Sequence, residues 1–102
     1  MPSPLWSNPH YFLCNLWPVE STGVTTPTNG EGLPTLLVIS TANDPATPYQ
    51  DGVAVAQRLS ARLLTFKGDQ HTAFLSTGSS CVDDAGVAYL VDLTLPAQDI
   101  NC

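Results

Sequence analysis

Residues 35–74 read TLLVISTANDPATPYQDGVAVAQRLSARLLTFKGDQHTAF, and the order of apolar runs and breaks inside this stretch decides the fold. Leu36, Leu37, Val38 and Ile39 form a continuous apolar run between Pro34 and the turn-rich Thr41-Ala42-Asn43-Asp44-Pro45. That pattern marks a strand covered on both faces and predicts a central parallel strand. Thr47, followed by Pro48 and Gln50, has the form of a capping box with proline at the first helical position. Val53, Ala56, Gln57 and Leu59 then space a helix to about Ser60, and Leu63 to Phe66 make a second short strand. Strand, helix and strand in this length form a βαβ unit, whose right-handed crossover sets the two strands side by side and parallel. Asp44 and His71 each follow the end of one strand, so both belong at the carboxyl edge of the sheet, where such folds place ligands and catalytic groups.

Downstream, Ser80-Cys81-Val82-Asp83 reads as a second helix start, with Asp83 and Asp84 favourably placed in its first turn. Val87, Ala88, Leu90 and Val91 are expected to supply its apolar face, and the helix should stop before Pro96. Upstream, residues 1–34 read as an irregular segment and loop, set apart from the α/β segment at 35–102. Pro2, Pro4, Pro9 and Pro18 break any helix or central strand there. Trp6, Tyr11, Phe12 and Trp17 are expected to pack on something, with a helical turn near Asn8 to Leu16. Glu20 to Gly32 is rich in Gly, Thr and Pro, with a turn pair at Asn29-Gly30, and reads as a surface loop. Two parallel strands with two helices would leave both sheet edges unpaired, which natural folds avoid. The expected class is therefore α/β, in the order β-α-β-α with parallel strands, as the carboxyl end of a larger, here incomplete, sheet.

Composition narrows the function. At 43% hydrophobic and 12% charged, the chain buries surface rather than staying disordered. The net charge is −6, and the three basic residues, Arg58, Arg62 and Lys67, fall in one short window, so no nucleic acid partner is expected. No aliphatic run approaches the roughly 20 residues of a membrane span, and no signal peptide is visible at Met1. Asp69, Asp83 and Asp84 read as helix-end and surface charges, because no second His stands at metal-ligand spacing; neither metal nor cofactor is expected. His10, beside Pro9, reads as structural or exposed.

Asp44 alone would read as a turn former and His71 alone as an exposed loop residue. Together, in this order and at one sheet edge, they suit a different role. A serine becomes a nucleophile when a neutral imidazole takes its proton, and that imidazole needs a carboxylate on its other nitrogen. The α/β-hydrolase order is Ser, then Asp, then His, which puts the nucleophile upstream of Asp44. No G-x-S-x-G elbow occurs in the 102 residues, and Ser3, Ser7 and Ser21 stand in Pro- or Gly-broken sequence. By itself the chain should be catalytically inert.

The blocks Asn43-Asp44-Pro45-Ala46-Thr47-Pro48-Tyr49 and Gly68-Asp69-Gln70-His71-Thr72, then Cys81-Val82-Asp83-Asp84-Ala85 with Tyr89-Leu90, and Leu95-Pro96-Ala97 before Cys102 carry a resemblance. The chain resembles the C-terminal region of secreted α/β-hydrolases of the tripeptidyl-aminopeptidase-like (TAP-like) family, nearest to mycobacterial cell-envelope serine hydrolases described as carboxylesterase or protease. The likeness runs over about residues 12 to 102. It implies that Asp44 orients His71 in a Ser-His-Asp triad. It also implies a Cys81 to Cys102 disulfide, and a partner for Cys14 upstream, leaving Cys14 unpaired in this chain. Many relatives carry Gly where this chain has Gln70. An odd cysteine count and these pairings suit an oxidising compartment, secreted or cell envelope.

Two readings follow. In the first, the chain is the C-terminal segment of a serine peptidase or esterase; its partners are an N-terminal hydrolase portion carrying the serine and a peptide or ester substrate. In the other, it is a non-catalytic interaction module that keeps a hydrolase-fold fragment as a scaffold.

Overall fold

The computed structural model describes residues 16–23, 26 and 28–102. Among them the elements are β1 (Leu37–Thr41), α1 (Tyr49–Arg58), β2 (Arg62–Phe66), α2 (Ser80–Asp92) and β3 (Ile100–Asn101). Strands β1 and β2 run parallel in the register Leu37↔Arg62 to Thr41↔Phe66. The fold is an incomplete α/β sheet of three parallel strands with two helices.

The order is β1-β2-β3, so that β2 lies between the other two strands among the described residues. The third strand is two residues long, pairing Leu64↔Ile100 and Thr65↔Asn101. Neighbouring bonds hold it. Asp99 Oδ1 accepts the Leu63 N–H at 2.8 Å, and the Cys102 N–H donates to the Thr65 carbonyl at 2.8 Å. A disulfide joins Cys102 to Cys81, with Cα atoms 5.7 Å apart, and so fastens the end of β3 to the first turn of α2.

Strand side chains alternate between faces, and each face takes one helix. On one face, the Tyr49 hydroxyl and Thr65 Oγ1 are hydrogen-bonded at 2.8 Å, and Ser40 Oγ donates to the Tyr49 carbonyl, which seats α1. The other face carries the core. Leu64 and Val82, both at 0% exposure, pack with Ala73, and Ile39, Phe66 and Phe74 close around them. A Cβ on Gly86 would lie 2.3 Å from the Phe74 ring, so glycine is what lets α2 approach the loop that precedes it.

Helix α2 starts at Ser80, as its sequence suggests, but is capped from one residue further back. Ser79 is its N-cap, its hydroxyl accepting the Val82 N–H, and the helix ends at Asp92 with Leu93 in the left-handed region, φ 54°. Its inward face is also different. Val82, Ala85 and Gly86 meet the sheet side, whereas Val87, Leu90 and Val91 stay exposed, Val91 at 72%. The helix is apolar almost all round, so periodicity could not choose between its two faces.

Trp17, expected to pack, is 73% exposed. The other aromatic residues of that cluster, the turn expected from Asn8, His10 and Cys14 lie outside the described residues. Among the described residues no helix is long and apolar enough to cross a membrane.

Candidate active site

The two loops that leave the carboxyl ends of β1 and β2 stay paired beyond the strands. The Ala42 N–H donates to the Phe66 carbonyl at 2.9 Å, and the Asn43 N–H to the Gly68 carbonyl at 3.0 Å. Gly68 has to be small here, because a Cβ would lie 2.4 Å from the Phe66 ring. This extension carries Asp44 and His71 to the same place.

Both Asp44 oxygens approach His71 Nδ1, Oδ1 at 3.1 Å and Oδ2 at 3.0 Å. The carboxylate is nearly enclosed at 7% exposure, while the imidazole is 49% exposed. Asp44 Oδ1 also accepts the backbone N–H groups of Ala46 at 2.8 Å and Thr47 at 2.9 Å, and Oδ2 accepts the Thr47 hydroxyl at 3.0 Å. The Thr47 N–H is the chief reason that the Asp44 carboxyl lies well below the usual carboxylate range. The Ala46 N–H, His71 and the Thr47 hydroxyl pull the same way, against an opposing effect of partial burial. An anion so held is the natural acceptor for an imidazole N–H. The proton on Nδ1 then points at the carboxylate, and the lone pair of a neutral ring lies on Nε2. Nε2 makes no hydrogen bond among the described residues, and no serine hydroxyl among them is bonded to the ring.

Thr47 thus departs from its sequence reading. The N-cap of α1 is Pro48, with no side-chain cap bond, and the Thr47 side chain turns back to Asp44 instead. A Thr three residues after an Asp at a turn carries this signal too, since Asp side chains commonly take backbone N–H groups just ahead of them.

The His71 loop is built from contacts further along the chain. Thr72 and Leu75 have positive φ, 62° and 58°, a region costly for a β-branched residue such as threonine. Surrounding bonds hold it there. The Ser76 hydroxyl donates to the Thr72 carbonyl, and the Thr77 hydroxyl to the Ala73 carbonyl at 3.1 Å. Gln70 Nε2 donates to the Ser76 carbonyl at 3.2 Å, so Gln70 ties its own loop together. Asp83 Oδ1 accepts the Leu75 N–H at 2.8 Å. Asp83 lies in the first turn of α2, as its sequence position suggests, and also anchors that helix to this loop. Asp69 and Asp84 are exposed. Among the described residues no three His, Cys, Asp or Glu converge as a metal site.

A small pocket lined by Ser40, Thr41, Asp44, Thr47, His71 and Thr72 opens beside the pair. A carboxylate, an imidazole with a free ring nitrogen and an adjoining hollow can together move a proton to and from a group brought against Nε2.

A family model described as "TAP-like protein" matches residues 3–102. The chain is similar to Carboxylesterase B of Mycobacterium tuberculosis (strain ATCC 25618 / H37Rv), with 48% identity over 90 residues, which covers 88% of this chain and 17% of that protein. Serine protease Hip1 of the same strain is 43% identical over 89 residues, covering 87% and 17%. Tripeptidyl aminopeptidase of Streptomyces lividans is 30% identical over 99 residues, covering 95% and 18%. The chain spans 17 to 18% of the length of these curated relatives.

Proposed function

This chain belongs to the TAP-like family of α/β-hydrolases, and we propose that Asp44 and His71 are the acid and base of a Ser-His-Asp triad whose serine lies on a hydrolase portion N-terminal to these residues. The observation that carries this reading is the approach of both Asp44 oxygens to His71 Nδ1 at 3.0 and 3.1 Å, at the carboxyl ends of adjacent parallel strands.

In the assembled enzyme, Asp44 fixes the tautomer in which His71 Nε2 is the proton acceptor. Nε2 takes the serine proton as the serine oxygen attacks the acyl carbon of an ester or peptide. The imidazolium formed is stabilised by Asp44, which stays ionised because its backbone donors hold it so. His71 then returns the proton to the departing alcohol or amine, and water repeats the sequence to release the acid. Ester and peptide substrates are both supported by the names of the relatives, two of which are called a protease and an aminopeptidase and one a carboxylesterase. The Cys81–Cys102 disulfide supports an oxidising compartment, outside the cell or in its envelope.

Nucleophile and base act as one unit, so lack of the serine removes nearly the whole advantage of the triad, of order 10⁶ in rate. The chain alone should neither turn over p-nitrophenyl esters nor be labelled by a fluorophosphonate. Added to a serine-bearing N-terminal portion of a relative such as Carboxylesterase B, it should restore both, and His71→Ala should abolish the rescue while His10→Ala leaves it intact. Labelling of the isolated chain at any serine, or rescue that survives His71→Ala, would sink the reading; the latter result would favour the scaffold alternative.

A further inference from the structure

The Thr47 hydroxyl has no task in the helix that follows it. Pro48 takes the N-cap position of α1 and the cap has no side-chain bond, yet the hydroxyl is engaged, at 3.0 Å from Asp44 Oδ2. The carboxylate has two oxygens with different duties. Oδ1 is held by the N–H groups of Ala46 and Thr47, which any residue at those positions other than proline would supply. Oδ2 is the nearer oxygen to His71 Nδ1, and the Thr47 hydroxyl is its other hydrogen-bond donor. Rotation about the Cβ–Cγ bond moves both oxygens, so the bonds to Oδ1 restrain the plane of the carboxylate and the hydroxyl on Oδ2 restrains it from the other side.

We infer that Thr47 is a positioning residue of the acid–base pair: its hydroxyl fixes the Asp44 carboxylate in the orientation that keeps the His71 proton on Nδ1 and the lone pair on Nε2. The hydroxyl acts in two ways. It adds to the restraint on the carboxylate plane, and it draws charge from Oδ2, so that this oxygen is a weaker base and the shared proton stays on the ring nitrogen when the imidazolium forms. The lowered carboxyl pKa of Asp44 agrees, since Thr47 contributes to it through its N–H foremost and its hydroxyl as well. Among the described residues, His71 is the one titratable group beside Asp44 in the pocket lining.

The consequence for the rate rests on the proposed triad, whereas the tautomer does not, and the experiment separates the two. In the full 102-residue chain, with the imidazole nitrogens labelled with ¹⁵N and the ring neutral, wild type should carry its proton on Nδ1 at His71. Thr47→Val keeps shape and backbone N–H but lacks the hydroxyl; it should shift His71 towards the Nε2–H form that a free imidazole favours, and Thr47→Ser should keep the wild-type form. Thr47 is exposed, so none of these changes empties a core; if Thr47→Val does not fold, Thr47→Ala is read in the same way. In the assembly with a serine-bearing portion, Thr47→Val should lower kcat roughly tenfold with KM little changed, and Thr47→Ser should restore it. An unchanged tautomer in Thr47→Val overturns the inference, and so does a shifted tautomer with unchanged kcat in an active assembly. An assembly that is inactive with the wild-type chain overturns the triad reading instead, and the nitrogen shifts then decide the role of Thr47 on their own.

Discussion

Apart from His71, the donors to the Asp44 carboxylate lie within residues 44–47, whereas the loop that carries His71 is fastened to a helix further along the chain. Asp44 accepts from Ala46 and Thr47, its neighbours in sequence. These bonds form wherever the segment takes its turn, with little loop-closure entropy to overcome. His71 sits in a stretch with two residues at positive φ, and Asp83 on α2 supplies the carboxylate that takes the Leu75 N–H. Helix α2 is in turn tied to β3 through Cys81 and Cys102. The acid is set by local chemistry and the base by tertiary structure. Damage far from the site should therefore reach the base first.

The largest test of that difference is the disulfide. Closing a loop of sequence separation 21 contributes about 3 kcal/mol in the chain-entropy model. Reduction, or Cys81→Ser with Cys102→Ser, should cost stability of that order in denaturant unfolding. Amide hydrogen exchange should sharpen the picture: residues 72–76 should open more readily on reduction, while Ala46 and Thr47 change little beyond the global loss. Equal acceleration in both loops would break the comparison.

The same contrast decides what was legible in the sequence. The Leu36–Ile39 run, the turn residues after it and the apolar pair of strands are local signals, and the parallel pairing with Asp44 and His71 at one edge followed from them. Strand β3 did not, because two residues carry no periodicity; what makes Ile100–Asn101 a strand is Asp99, Cys102 and the open edge of β2. Thr47 was visible but misread, since a capping box and a turn closed onto an Asp draw on the same residue types. Asp83 looked like a favourable charge at a helix start, and only the path of the chain from Ala73 to Ser79 reveals the N–H that it takes. The inward face of α2 was equally hidden, because Val82 and Val91 are alike in sequence and differ only in what the sheet presents to them.

A smaller effect should come from Asp83 alone. Asp83→Ala frees the Leu75 N–H near the surface and should cost about 1 kcal/mol in global stability. Its exchange signature is more telling. Protection should fall from Leu75 through Thr77, and Asp83→Asn, which keeps an acceptor oxygen, should recover most of it. If Asp83→Ala leaves this segment as protected as wild type, the positive-φ turn holds itself and the His71 loop is as self-contained as its partner.

The smallest effect is the most local, and it concerns pH. In the folded chain the Asp44 carboxyl lies below its ordinary value, which is about 3.8, chiefly because of the Thr47 N–H. The unfolded chain therefore takes up the Asp44 proton at a higher pH than the folded chain does. Above the unfolded value both states are ionised, and the stabilisation due to these bonds is fully present and independent of pH. As pH falls below about 4 the unfolded state binds the proton first, and this contribution declines progressively towards the folded value. Other carboxylates add slopes of their own, so the measurement is a difference: the midpoint of thermal unfolding against pH for wild type and for Asp44→Asn. The two curves should run parallel from pH 7 to about pH 4 and converge below it, since Asn has no proton to gain. Because every donor to Asp44 but His71 lies within three residues, the difference should persist after reduction of the disulfide, provided the chain stays folded. A difference that vanishes on reduction would mean that the Asp44 turn depends on α2 and β3 as the His71 loop does.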